Sequence, residues 1–180
     1  MLSPLKRMDA RVSRVRIGLF LEMATKKTLT TELLNETETE TLAMSLAKLF
    51  DNGEQLAIKG DLGTGKTVIA RAFIQALCGQ DTEVPSPTFT LLQTYETKNK
   101  KEIFHFDLYR IENSEEAIEL NIEDAFADGI SLIEWPERLG SLLPPDHLEL
   151  TLSYGRVESQ RRATITASDN WHKRLKEISL

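Results

Sequence analysis

The eight residues Gly60-Asp61-Leu62-Gly63-Thr64-Gly65-Lys66-Thr67 constrain this chain more than any other stretch. They satisfy the pattern G-x-x-x-x-G-K-S/T at every fixed position. A loop of this kind has to leave a strand, turn tightly and open a helix. Gly60, Gly63 and Gly65 permit the turn and let backbone N–H groups reach phosphate oxygens, where a Cβ would intrude. Lys66 offers a compact positive charge to β- and γ-phosphates, and the Thr67 hydroxyl is placed to ligate Mg2+.

The flanking residues supply the required context. Gln55-Leu56-Ala57-Ile58-Lys59 before the loop is short and partly apolar, as a strand should be. From Thr67 to Cys78 the residues Val68, Ile69, Ala72, Phe73, Ala76 and Leu77 form an apolar face at helical spacing, with Gly79 as the C′ residue. The helix N-terminus adds its partial positive charge to the anion site.

The remaining pattern predicts an α/β domain, a P-loop NTPase-like sheet flanked by helices with antiparallel additions. A strand is expected over Thr28–Leu34. Asn35 three residues before Glu38 is a capping box that opens a helix carrying Leu42, Leu46, Leu49 and Phe50 and ending at Gly53. Phe89–Glu96 and Glu102–Phe106 read as strands joined by the polar turn Lys98-Asn99-Lys100-Lys101. Helical stretches follow at Ser114–Leu120 and Ile122–Phe126, then strands at Ile130–Ile133, His147–Tyr154 and Arg162–Ala167, then a terminal helix at Asn170–Ile178.

A chain of 180 residues suits one domain with a full core. Residues 28–180 are read as that domain. Residues 1–27 are a basic extension, disordered or the product of an upstream start codon with Met23 as the true start. Its first 22 residues hold five basic side chains (Lys6, Arg7, Arg11, Arg14, Arg16) against Asp9 and Glu22. Its apolar patch Ile17–Leu21 is too short to cross a membrane. The lone Cys78 excludes an internal disulfide and a cysteine-based zinc site, so a cytoplasmic location is expected, with Cys78 a small core residue. A net charge of −6 argues against a chain that grips RNA by itself. Glu112, Glu115, Glu116, Glu119, Glu123 and Asp124 form a run without Lys or Arg, which reads as a solvated helix face or a docking surface for a basic partner.

A phosphate loop needs an acid at the end of a neighbouring strand to order Mg2+ and water. Asp107 follows Ile103-Phe104-His105-Phe106, and Glu134 follows Ile130-Ser131-Leu132-Ile133. Both are candidates, provided their strands run parallel to the one that enters the loop. Between loop and acids, Pro85 and Pro87 bracket Ser86 and stiffen the segment Ser86-Pro87-Thr88-Phe89-Thr90. Hydroxyls there are suited to sensing a γ-phosphate.

Four stretches in this order, the loop Gly60–Thr67, Ser86–Thr90, His105-Phe106-Asp107-Leu108-Tyr109-Arg110 and Ile133-Glu134-Trp135, resemble the TsaE (YjeE) family, over about residues 30–155. These are small bacterial ATPases of tRNA threonylcarbamoyladenosine biosynthesis. The resemblance implies ATP and Mg2+ as cofactors and a TsaB–TsaD complex as partner. TsaD transfers the threonylcarbamoyl group, made by TsaC, to the adenosine beside the anticodon. ATP hydrolysis by the TsaE protein resets the complex, and tRNA is met only through the partners. Carried over, Gly60 to Thr67 hold the phosphates, Thr67 and Glu134 the Mg2+. Asp107 is a catalytic or partner-coupled carboxylate, Trp135 borders the nucleotide, and Ser86 and Thr88 form the switch. Thr64 stands where the family often has Ala.

Three other readings compete. A GTPase needs Asn-Lys-x-Asp after the strand-end acid, whereas Asn99-Lys100-Lys101-Glu102 ends in Glu and precedes Asp107. A small-molecule kinase uses clustered arginines on a lid, but Arg110 and Arg138 are spread out and Arg161 and Arg162 fall in a late hairpin. A nucleotide-gated binding module would differ only in hydrolysing little without its partners.

Overall fold

The computed structural model describes residues 26–178. The expectations for residues 1–25, including the apolar patch and Met23, lie outside them. Seven strands form one sheet in the order β1-β7-β6-β2-β5-β4-β3. They are β1 Lys27–Leu33, β2 Gln55–Lys59, β3 Leu92–Glu96, β4 Glu102–Asp107, β5 Ile130–Glu134, β6 Leu148–Tyr154 and β7 Arg161–Ala167. The helices are α1 Glu36–Ala47, α2 Lys66–Cys78, α3 Glu115–Ile118, α4 Ile122–Asp128 and α5 Asp169–Leu175. The four central strands are parallel, β6 to β2, β2 to β5 and β5 to β4. The outer pairings β3–β4, β6–β7 and β1–β7 are antiparallel. This is the expected α/β architecture.

The sheet buries both faces, and strand alternation assigns each residue to one of them. On β5, Ile130 and Leu132 join the larger core with Ile69 and Phe73 of α2, Leu42 and Leu46 of α1 and Trp171 of α5. Ile133 faces the other way, into a smaller core with Phe106, Ala117, Ile122 and Leu139. By the same alternation Glu134 falls on the α2 face, as do His105 and Asp107 of β4 with Ile103. The two acids thus lie on the face from which α2 starts. The aromatic centre of the larger core is Phe50, edge-on to Phe73 at 5.1 Å and tilted against Trp171 at 4.7 Å.

Local signals account for most element ends. The Asn35 side chain accepts the Glu38 N–H at 3.0 Å, while the Glu38 carboxylate accepts the N–H of Leu34, one residue before the cap, at 2.8 Å. Several boundaries differ from expectation. Helix α1 stops at Ala47, and Gly53, at φ +81°, instead turns the chain into β2, donating its N–H to Gly129. The buried face of α2 takes in Ala70 and Ile74 and leaves Ala76 exposed. Phe89 and Thr90 lie outside β3, because Leu91 takes φ +64° and bonds back to the Pro87 carbonyl. The acidic run forms the two short helices expected of it, with α3 shortened to Glu115–Ile118 and α4 extended to Asp128; Asn121, at φ +54°, separates them, and most of the carboxylates are exposed. Residues Pro136–Leu142 form 3-10 turns that no periodic pattern announced.

Candidate functional site

The phosphate loop bridges the end of β2 and the start of α2. Gly60 (φ +142°), Gly63 (φ +78°) and Gly65 (φ +102°) all take backbone angles that side chains rarely adopt. The Lys66 side chain is buried and donates from Nζ to the Gly60 and Asp61 carbonyls, each at 2.8 Å. Its ammonium lies 3.9 Å from the centre of the Trp135 ring, in cation–π contact. Burial pushes the Lys66 ammonium below the usual lysine range, while Glu134 and Asp107 act in the opposite sense.

Parallel pairing of β4 with β5 places Asp107 directly beside Glu134, and pairing of β5 with β2 sets Glu134 opposite Ile58, two residues before the loop. Both acids are therefore at the carboxyl end of strands parallel to β2, where ligands of such sheets collect. Glu134 is buried and bridges two elements. Its Oε2 accepts the Thr67 hydroxyl at 3.0 Å, and its Oε1 lies 2.9 Å from His105 Nε2. His105 is fully buried and its Nδ1 has no partner. In the neutral ring with the proton on Nε2, that leaves only an acceptor lone pair unmet.

Asp107 is also buried. Its Oδ2 accepts the hydroxyls of Thr88 at 2.6 Å and Ser86 at 3.2 Å, which lie 2.7 Å from each other. Its Oδ1 accepts the Tyr109 N–H at 3.1 Å. The segment bracketed by prolines is thus moored on Asp107. Trp135, at φ +59°, leaves β5 sharply and turns its ring toward Lys66 and toward Tyr109, whose ring centre is 5.0 Å away.

These groups line one cleft of about 330 Å3, which takes in Leu62, Gly63, Gly65, Lys66, Thr67, Ser86, Thr88, Asp107, Glu134 and Trp135. Gly60, Asp61 and Thr64 belong to the loop but do not line that cleft; Thr64 is buried and donates its hydroxyl to the Asp61 carbonyl at 2.8 Å. The sequence pattern by itself gives no role to His105, Tyr109, Tyr154 or Arg161. His105 could have been noticed two residues before Asp107 on an alternating strand; nothing in the pattern pointed to the hairpin residues. Among the described residues no three His, Cys, Asp or Glu side chains gather to hold a metal by themselves. The donor set at Thr67 and Glu134 is nevertheless all hard oxygen. It suits Mg2+, which retains waters and takes further oxygens from nucleotide phosphates.

The profile of the family described as Threonylcarbamoyl adenosine biosynthesis protein TsaE matches residues 33–163. The chain belongs to the TsaE family. The tRNA threonylcarbamoyladenosine biosynthesis protein TsaE of Rickettsia felis is 45% identical over 120 residues, covering 67% of this chain and 70% of the relative. Its counterpart in Rickettsia typhi is 42% identical over 139 residues, 77% and 94% of the two chains. That of Bacillus subtilis is 32% identical over 145 residues, 80% and 89%. The crystal structure of Bacillus subtilis YdiB superposes with a TM-score of 0.70 at 28% identity, over 85% of this chain and 94% of that one. The TsaE family works in tRNA threonylcarbamoyladenosine biosynthesis, and its P-loop fold suits nucleotide binding. No helix among the described residues is long and apolar enough to cross a membrane.

Proposed function

We propose that this TsaE protein is a Mg2+-dependent ATPase that supports threonylcarbamoylation of tRNA by acting on a TsaB–TsaD complex, without transferring the group itself. The observation that carries the reading is the Thr67–Glu134 hydrogen bond at 3.0 Å. It joins the hydroxyl that ligates Mg2+ in phosphate loops to a strand-end carboxylate, beside a buried lysine.

The side chains divide the work as follows. The loop amides and Lys66 bind the phosphates, Lys66 exchanging its carbonyl partners for β- and γ-oxygens. Thr67 and Glu134 hold the Mg2+, which when bound neutralises charge on the phosphates. Asp107 orients the attacking water or couples it to a partner, and its bonds to Ser86 and Thr88 link that segment to the γ-phosphate end of the cleft. Trp135 shields Lys66 from solvent. The net charge of −6 fits a protein that reaches tRNA through partners, in the cytoplasm. We place the ATPase domain at residues 28–180, so deleting residues 1–22 should leave the melting temperature and ATP affinity unchanged.

Three of the four arginines considered for a small-molecule kinase support this reading instead. Arg161 is engaged on loop carbonyls, Arg162 on Glu32, and Arg110 lies over the Phe89 ring. The test is ATP binding and turnover with and without TsaB–TsaD. Stimulation by the pair, abolished by Lys66→Ala, supports the proposal. An unchanged Lys66→Ala variant, or phosphoryl transfer to a small acceptor, refutes it.

A further inference from the structure

Two side chains of the β6–β7 hairpin reach the phosphate loop from outside the cleft. Arg161 donates from Nε to the Thr64 carbonyl at 3.0 Å and from Nη2 to the Gly63 carbonyl at 3.3 Å. Its Nη1 donates to the carbonyls of Glu158 and Gln160, at 2.6 and 2.8 Å, so the guanidinium is also tied to its own turn. Tyr154 pairs with Arg161 across the hairpin, and its ring lies 4.9 Å from the guanidinium carbon. The Tyr154 hydroxyl donates to the Leu62 carbonyl at 2.7 Å. One hairpin therefore holds three consecutive carbonyls of the loop.

In a trans peptide the C=O and the following N–H point in opposite directions, and no cis bond occurs among the described residues. Turning the Leu62, Gly63 and Thr64 carbonyls toward the hairpin turns the N–H groups of Gly63, Thr64 and Gly65 away from it. Thr64 N–H contacts the Asp61 carbonyl at 3.3 Å, which leaves Gly63 and Gly65 as the donors. Both line the cleft with Lys66 and Thr67 and also border a second cavity of about 380 Å3 that holds Arg161, so the loop is the wall between the two, with its carbonyls bonded on the hairpin side. Arginine suits the task because its planar fork can serve several carbonyls at once, which a lysine ammonium at the end of a flexible stem does poorly.

We propose that Arg161 and Tyr154 are positioning residues of the phosphate loop. By pinning its carbonyls outward they preset the Gly63 and Gly65 amides for a phosphate chain. The inference rests on the reading of this loop as a triphosphate site. It separates Arg161 from the catalytic groups, since it touches neither the cleft nor the two acids.

The test compares Arg161→Met, Tyr154→Phe and a control, Arg162→Met, in the full chain. Arg162 bonds Glu32 on β1 at 2.7 Å and touches no loop carbonyl. Affinity is measured calorimetrically for Mg·ATP and for tripolyphosphate, with melting temperatures taken in parallel. Arg161→Met should weaken both ligands by the same factor, about 10- to 100-fold, the worth of a charged hydrogen bond. Tyr154→Phe, which removes one oxygen and keeps the ring, should weaken both about 2- to 10-fold. Arg162→Met should change neither. Loss of ATP affinity with intact tripolyphosphate affinity would mean that Arg161 touches the nucleoside, and would overturn the proposal. So would unchanged binding of both ligands, or a wild-type chain that holds ATP but not tripolyphosphate. Should Arg161→Met fail to fold, Tyr154→Phe decides by the same criteria. Failure of the underlying reading looks different: the wild type then binds neither ligand, and Lys66→Ala alters nothing.

Discussion

Gly60→Ala tests whether close packing behind the loop, and not backbone freedom alone, demands glycine there. A Cβ at Gly60 would sit 2.5 Å from the Leu152 carbonyl oxygen and 2.7 Å from Thr64 Oγ1. Leu152 is held in β6, paired with Ala163 of β7, and is buried, so its carbonyl has little room to yield. The Thr64 hydroxyl could move only by giving up its bond to Asp61. Gly140 provides the control. It also has positive φ, +52° with ψ −120°, but its added Cβ meets nothing within 4 Å. Backbone strain alone costs about 1–3 kcal/mol at either site. Overpacking at Gly60 adds a further contribution of about 1–3 kcal/mol. At about 2–4 °C per kcal/mol for a chain of this size, Gly60→Ala should melt about 2–12 °C below Gly140→Ala. Its ATP affinity should fall as well, because the loop has to move off Leu152, whereas Gly140→Ala should bind normally. The assay is thermal unfolding of both variants by circular dichroism, followed by ATP titration. Equal melting temperatures and equal ATP affinities would refute the argument that Leu152 presses on the loop.

Glu134→Gln should weaken ATP binding in Mg2+ far more than in EDTA, whereas Asp107→Asn should lower turnover by about 10²–10⁴-fold and leave binding nearly intact; nucleotide titrations and phosphate release separate the two. His105→Phe removes the partner of Glu134 Oε1 and should raise the Mg2+ requirement of ATP binding about 10- to 100-fold, with partial rescue by His105→Gln, which restores an N–H donor. Burial pushes the Cys78 thiol up, so its reaction with iodoacetamide at pH 8 should run slower than that of a free cysteine peptide and reach the peptide rate only in denaturant. An alkylation rate in the folded protein equal to the peptide's would show Cys78 to be open. The chain without partners should bind tRNA weakly, and tight salt-sensitive binding in a filter assay would contradict the expectation drawn from its charge.

What the sequence determined by itself was local. Gln55–Lys59 and the helix to Cys78 follow from a strand-length apolar run, a glycine-rich turn and apolar residues at helical spacing, all within 25 residues. The Asn35 cap was equally legible, since its partner is three residues away. The glycine-rich loop pattern pointed to a phosphate ligand, and Asp107 and Glu134 stood out as acids ending apolar runs. Element ends differed where turn geometry and strand contacts decided together: after Ala47 the chain leaves α1 through bonds from Leu49 to Leu46 and Phe50 to Ala47 before Gly53 meets Gly129, and β3 starts late because Leu91 turns back onto Pro87 while its carbonyl accepts the Asp107 N–H. The site itself was settled by tertiary structure. Glu134 meets Thr67 across 67 residues and His105 across 29, and Arg161 meets the loop across 97. Such pairs depend on strand order and register, which place β5 beside β2 and the β6–β7 hairpin behind the loop. A hydrogen bond between residues that far apart leaves no periodic trace in either segment, because each side chain satisfies its local pattern equally well without the other.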